Sequence, residues 1–125
     1  MRVGSQELAL LTFIAERGGA TVGEVAEEFG VGRDLSRTTI LTMMERLRQK
    51  KRLTRKRVNG VFRYVSPQSR RDVLREAVHS FVERSLGGSV SPFVAYLAES
   101  TDVTDEELVE LQRAIATLRQ QRKPR

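Results

Sequence analysis

Cysteine is absent from all 125 residues. That excludes disulfides, thiolate metal sites and thiol catalysis, and it fits a reducing compartment such as the cytoplasm. Histidine occurs once, at position 79. A zinc site needs several His or Cys at set spacings, and a catalytic triad needs a nucleophile and an orienting acid gathered around its histidine. There is no glycine-rich phosphate loop, since Gly18-Gly19 and Gly87-Gly88 fall where helices should end. No apolar run approaches the roughly 20 residues of a membrane span, and the N-terminus lacks a signal-peptide core. The acidic run Asp105-Glu106-Glu107 is accounted for by a helix start. The expectation is a protein that is not an enzyme, holds no cofactor or metal, and does not insert into a membrane.

Positive charge is abundant, and it is unevenly placed. Residues 1–67 hold 13 basic and 7 acidic side chains, a net of +6, whereas residues 68–125 hold 9 of each. From Arg46 to Arg63 there are nine Lys or Arg and no acid. A solvated basic face is the bland alternative. A one-sided block without interspersed acids points instead to a polyanion, nucleic-acid phosphate first.

Local signals divide the first half into three helices and a hairpin. Ser5 is placed as the cap of a helix through Arg17, apolar nearly all round and so packed on several sides. Thr21-Val22-Gly23-Glu24 has capping-box spacing, and Gly30 is expected to close the short second helix. Ser36 should cap the third, with Ile40, Met43, Met44 and Leu47 as its buried stripe. Thr38, Thr42, Glu45 and Gln49 then point outward, with Arg46 and Thr39 on one flank and Leu41 on the other. Small hydroxyls on that face suit a helix set against DNA bases and phosphates. An ordinary surface helix remains the alternative, although such helices favour Glu, Lys and Gln.

Residues 53–58 and 61–65 alternate around Asn59-Gly60, a strong hairpin signal because both turn positions need positive φ. Leu53, Phe62 and Tyr64 are expected to face the core, and Arg55, Arg57 and Arg63 to reach outward. Three helices and a basic hairpin make a winged helix-turn-helix, with its third helix in the major groove and its wing on the backbone.

Pro67 marks the boundary between a DNA-binding unit, 1–67, and a helical unit, 68–125. Met1 to Gly4 reads as a loose arm and Gln120 to Arg125 as a fraying tail. Ser69 should cap a helix to Ser85, Ser91-Pro92 should open a short one through Glu99, and Thr104 with Glu107 forms another capping box. The stripes Leu74, Val78, Phe81, then Phe93 and Leu97, then Leu108, Leu111, Ile115 and Leu118 exceed what about 50 residues can bury alone. A second copy would cover them, giving a twofold homodimer. Folding of the tail onto its own head is the alternative. The fold class is mainly α with a small β-hairpin, a winged helix followed by three helices for dimerisation. A protein-interaction adaptor and a sequence-neutral architectural DNA binder are the competing functions.

The chain resembles the penicillinase-repressor (BlaI/MecI/CopY) family of bacterial transcriptional repressors over most of its length. Residues 39–51 are similar to the family's TIxTxxxRLxxKG motif, and Phe62-Arg63-Tyr64, Phe93-Val94-Ala95-Tyr96-Leu97 and the final helix also match. The resemblance implies a homodimer on a palindromic double-stranded DNA operator. By position its DNA contacts fall on Thr38, Thr39, Thr42 and Arg46, with wing support from Arg55, Lys56 and Arg57; Arg37 and Arg63, basic residues of the same helix and hairpin, complete the expected DNA-binding set. It also implies a membrane-bound sensor protease as partner for the β-lactam-responsive members, whose Asn-Phe cleavage bond maps onto Tyr96 and Leu97. The cysteine pairs of the copper-responsive members have no counterpart. The KG that ends the motif is placed at Lys51-Arg52, where it adds charge and removes a flexible residue.

Overall fold

Capping chemistry sets the helix starts in a computed structural model that describes residues 4–122. Six helices and three strands follow in the order α1 (Ser5–Arg17), β1 (Ala20–Thr21), α2 (Val22–Val25), α3 (Arg37–Gln49), β2 (Thr54–Val58), β3 (Val61–Val65), α4 (Arg70–Ser85), α5 (Ser91–Glu99) and α6 (Asp105–Gln121). At α2 the Glu24 N–H donates to the Thr21 hydroxyl at 3.2 Å, and the Thr21 N–H donates to the Glu24 carboxylate at 2.9 Å. Thr104 and Glu107 repeat the exchange at α6. Ser36 and Ser69 cap α3 and α4.

Local details differ from expectation. Gly4 caps α1, so Ser5 is its first helical residue, and Val90 caps α5, which moves Pro92 to the second position. The chain after α2 does not stop at Gly30: it widens into a π turn over Ala26–Gly30 and tightens into a 3₁₀ turn over Val31–Arg33. Gly30 is there for space. A Cβ on it would lie 2.9 Å from the Leu35 carbonyl oxygen. Of the proposed tail, Gln120 and Gln121 are helical. Residues 123–125 lie outside the described residues, as does the proposed arm apart from Gly4.

The sheet is antiparallel with order β1-β3-β2. Ala20 and Arg55 flank Tyr64 from either side, and Arg57 pairs with Phe62. Asn59 and Gly60 turn the hairpin with φ of 52° and 80°, as their positions require. β1, two residues long, leaves no periodic signal in the sequence.

Lys51 ends α3 under strain. The Arg52 N–H donates to the Leu47 carbonyl and the Lys51 N–H to the Arg48 carbonyl, each at 2.9 Å, in the pattern that normally ends on glycine. Counted from Thr39, the family glycine falls on Lys51 rather than on Arg52, and Lys51 holds φ of 63°. A non-glycine side chain costs roughly 1–2 kcal/mol there. Lys51→Gly regains part of that against the entropy of a freer unfolded chain, so we expect a gain of up to about 1 kcal/mol. A urea midpoint that does not rise counts against the strain.

One core gathers Leu10, Leu11 and Ile14 of α1, Val25 and Phe29, the α3 stripe Ile40, Met43, Met44 and Leu47, then Leu53, Tyr64 and Val73. Val73 belongs to α4, so the core reaches past Pro67. Arg70–Glu16 at 2.8 Å and Arg52–Glu76 at 3.2 Å further join α4 to the first half. Beyond it the packing thins. Phe81 and Phe93 meet edge to face at 5.9 Å, yet neither α5 nor α6 buries any residue.

Candidate nucleic-acid interface

The solvent face of α3 carries Arg37, Thr38, Thr39, Leu41, Thr42, Arg46 and Gln49, all exposed. Its first two turns hold no acid. Ser36 accepts the Thr39 N–H at 3.1 Å and its own hydroxyl donates to Thr39 Oγ1 at 2.9 Å, which fixes the start of the helix. Arg37 lies over Gly23, where a Cβ would stand 3.4 Å from its Nη1. The Thr42 hydroxyl donates back to the Thr38 carbonyl at 3.0 Å.

Glu45, expected to point outward, is instead drawn to the wing. Its carboxylate accepts from Tyr64 Oη at 2.5 Å, from Arg55 Nη1 at 2.8 Å and from Arg48 Nη2 at 2.9 Å. Arg55 also lies over the Phe62 ring with its guanidinium carbon 4.0 Å from the centroid. Arg55 therefore turns in over α3 and does not reach outward as its place in the hairpin predicts. Leu53 and Arg55 are two residues apart and share a strand face, so a core-facing Leu53 brings Arg55 over α3. Arg63 is likewise turned inward. Its guanidinium donates to the Gly19 carbonyl at 3.1 Å and to Glu24 at 3.4 Å, beside the Arg17–Glu24 pair at 3.1 Å.

Lys56 and Arg57 are the exposed cations of the wing. Among the described residues Lys56, Arg46, Arg37 and Lys51 have no ion-pair partner, and Arg57 has only the Phe62 ring, 4.9 Å away. The charge presented to a ligand is thus smaller than the count of cations from 46 to 63, and it lies in two places: along α3 and at the wing.

The bridge between wing and helix is sensitive to acid. Donation from Arg48, with that from Tyr64, holds the Glu45 carboxyl at about 2, below its ordinary 4.5. Burial, then the Glu45 carboxylate, push the Tyr64 phenol up. Glu24 is also held at about 2, chiefly by Arg17. A carboxyl with a lowered folded-state pKa stabilises the fold fully above its unfolded value and loses that contribution as pH falls through the folded one. The Glu45 contribution should therefore fade between about pH 4.5 and about pH 2. Glu45→Gln should melt lower than wild type at neutral pH and lose less on acidification, with Glu24 supplying the residual slope. Equal pH profiles for the two proteins would refute the bridge.

The residues read as a dimer interface lie on α4 to α6. Leu74, Phe93, Leu97 and Leu111 are half-buried, whereas Val78, Phe81, Leu108, Ile115 and Leu118 are exposed. Tyr96 is exposed inside α5, next to the half-buried Leu97. His79 is exposed, and no group of three or more metal-ligating side chains occurs among the described residues. No described helix is long and apolar enough to cross a membrane.

Comparison with known proteins adds to this geometry. The model of the family described as penicillinase repressor matches residues 3–117. The chain is 26% identical over 113 residues to the methicillin resistance regulatory protein MecI of Mammaliicoccus sciuri, covering 90% of this chain and 92% of that one. It is 27% identical over 110 residues to the penicillinase repressor of Bacillus licheniformis, covering 88% and 86%. Among solved structures, a MarR family protein from Bacillus stearothermophilus aligns over 97% of this chain and 76% of its own, with a TM-score of 0.52 and 20% identity. That likeness is one of fold, the winged helix with trailing helices.

Proposed function

The chain belongs to the penicillinase repressor family, and from that premise we propose that it acts in the cytoplasm as a homodimer on a palindromic operator. The family consists of transcriptional repressors, so the protein is a DNA-binding repressor and not an enzyme. The finer reading is that α3 enters the major groove and the wing lies along the backbone. The observation that carries it is the exposed face of α3, acid-free in its first two turns and flanked by Arg37 and Arg46, with Lys56 and Arg57 on a wing tied to the same helix through Glu45.

Roles divide by chemistry. Arg37, Arg46, Lys51, Lys56 and Arg57 neutralise phosphates, and Thr38, Thr39 and Thr42 face the groove. Arg55 and Arg63 are positioning residues, because protein acceptors already hold their guanidinium groups. Residues 1–67 supply the contacts, and residues 68–125 join two copies through the apolar faces that one copy leaves open. A membrane-bound sensor protease belongs to the same reading. Tyr96-Leu97 stands in place of the Asn-Phe bond of the β-lactam-responsive members and lies within a helix, so both its chemistry and its conformation work against a cut there.

The test is selection of duplexes from a random pool, followed by titration of variants on the selected and on scrambled DNA. Arg57→Ala should weaken binding to both by a similar factor, about three- to tenfold, since a phosphate contact carries no sequence. Thr42→Ala should lose more on the selected site than on scrambled DNA. A protein that binds all duplexes alike is an architectural binder, and one that binds none but captures an acidic protein is an adaptor. Either result refutes the repressor reading in its finer form.

A further inference from the structure

We propose that Leu41 is a specificity-determining residue that reads thymine through its 5-methyl group, so that each half-site carries a thymine opposite the second turn of α3. The inference rests on the placement of α3 in the major groove. Leu41 is 43% exposed on a helix whose other large aliphatic and thioether side chains, Ile40, Met43, Met44 and Leu47, are buried. It is not among the partly buried hydrophobics that pack against the core, as Leu35 and Phe62 are. Packing in the core therefore does not account for a leucine at this position.

Its neighbours explain what it can touch. Thr38 lies one turn back and Thr42 is adjacent, and both are exposed. The Thr42 hydroxyl proton is committed to the Thr38 carbonyl, so Thr42 cannot also donate it to a base. No Arg, Lys, Asn or Gln lies between Thr38 and Glu45. Glu45 itself is held by Tyr64, Arg55 and Arg48, and so is kept from the cytosine amino group it could otherwise accept from. The second turn of α3 thus lacks the bidentate donors that read guanine or adenine, and it offers methyl groups. In the major groove the base feature that matches a methyl surface is the thymine C5 substituent.

Replacing single thymines by deoxyuridine in a duplex selected by the wild-type protein removes only that methyl. At one thymine per half-site, wild type should lose about three- to fivefold in affinity, the effect of one buried methyl. Leu41→Ala should bind the thymine duplex less tightly and show no further loss on the deoxyuridine one. Because Leu41 is exposed, the variant should keep the wild-type unfolding midpoint, which separates readout from folding. Equal deoxyuridine sensitivity in the two proteins, or none in wild type at any thymine, overturns the inference while leaving the repressor reading intact. Failure to select any sequence overturns both.

Discussion

In the proposed homodimer, Ile115→Asp combined with Leu118→Asp will separate the two copies and lower affinity for a selected two-half-site duplex by about 10²–10⁴-fold. In a single chain these side chains are 49% and 58% exposed, on a helix that buries nothing. Aspartate at such sites leaves the shared core of α1 to α4 untouched, so the variant should stay folded. In a paired state each carboxylate would be desolvated against apolar surface, which costs far more than the leucine contact gains. Two linked heads bind as one unit because the second is delivered at high effective concentration, and a lone head loses that advantage. Sedimentation and titration on the same samples check the claim. A double variant that remains a dimer places the interface elsewhere, and a monomer that binds as tightly as wild type removes pairing from the mechanism.

Raising salt from about 50 to about 200 mM should weaken binding to any duplex by roughly 10³–10⁵-fold, the effect expected for 6–10 phosphate contacts. The count takes, among the described residues, the cations of α3, its C-terminal end and the wing that have no acidic partner: Arg37, Arg46, Lys51, Lys56 and Arg57 in each head give about ten in a pair. Each neutralised phosphate contributes a slope near −0.9 in a plot of log affinity against log salt. Arg55 and Arg63 are excluded from the count, since Glu45, Glu24 and the Gly19 carbonyl hold them. Arg55→Ala should therefore leave the slope almost unchanged, while Lys56→Ala with Arg57→Ala should flatten it by several units in a dimer. The reverse ranking would mean that the bridge to Glu45 opens on DNA.

Features decided within a few residues were legible in the sequence. The capping boxes at Thr21 and Thr104, the Asn59-Gly60 turn and the buried stripe of α3 lie where local chemistry puts them. Features decided by distant partners were not. β1 is two residues long and exists because Tyr64 and Arg63 lie opposite it, which no periodicity reveals. The helix wheel points Glu45 outward, yet Arg55 ten residues on and Tyr64 nineteen residues on draw it aside. Charge counting is blind for the same reason, since a sum over the sequence cannot show that Arg55 and Arg63 already have acceptors in Glu45, Glu24 and the Gly19 carbonyl. Leu41 is an exception with a signal in the sequence itself. It sits outside the buried stripe of an otherwise polar face.

Val73 has a bearing on how the molecule can be divided. It is fully enclosed with Leu10 and Ile14, although it follows the proline that ends the wing. A fragment severed at Pro67 would open a hole beside the first helix and melt early, however complete its reading surface. The smallest autonomous head must therefore include the opening turns of α4. A twist applied to the distal helices then enters the head through a rigid rod and not through a slack tether.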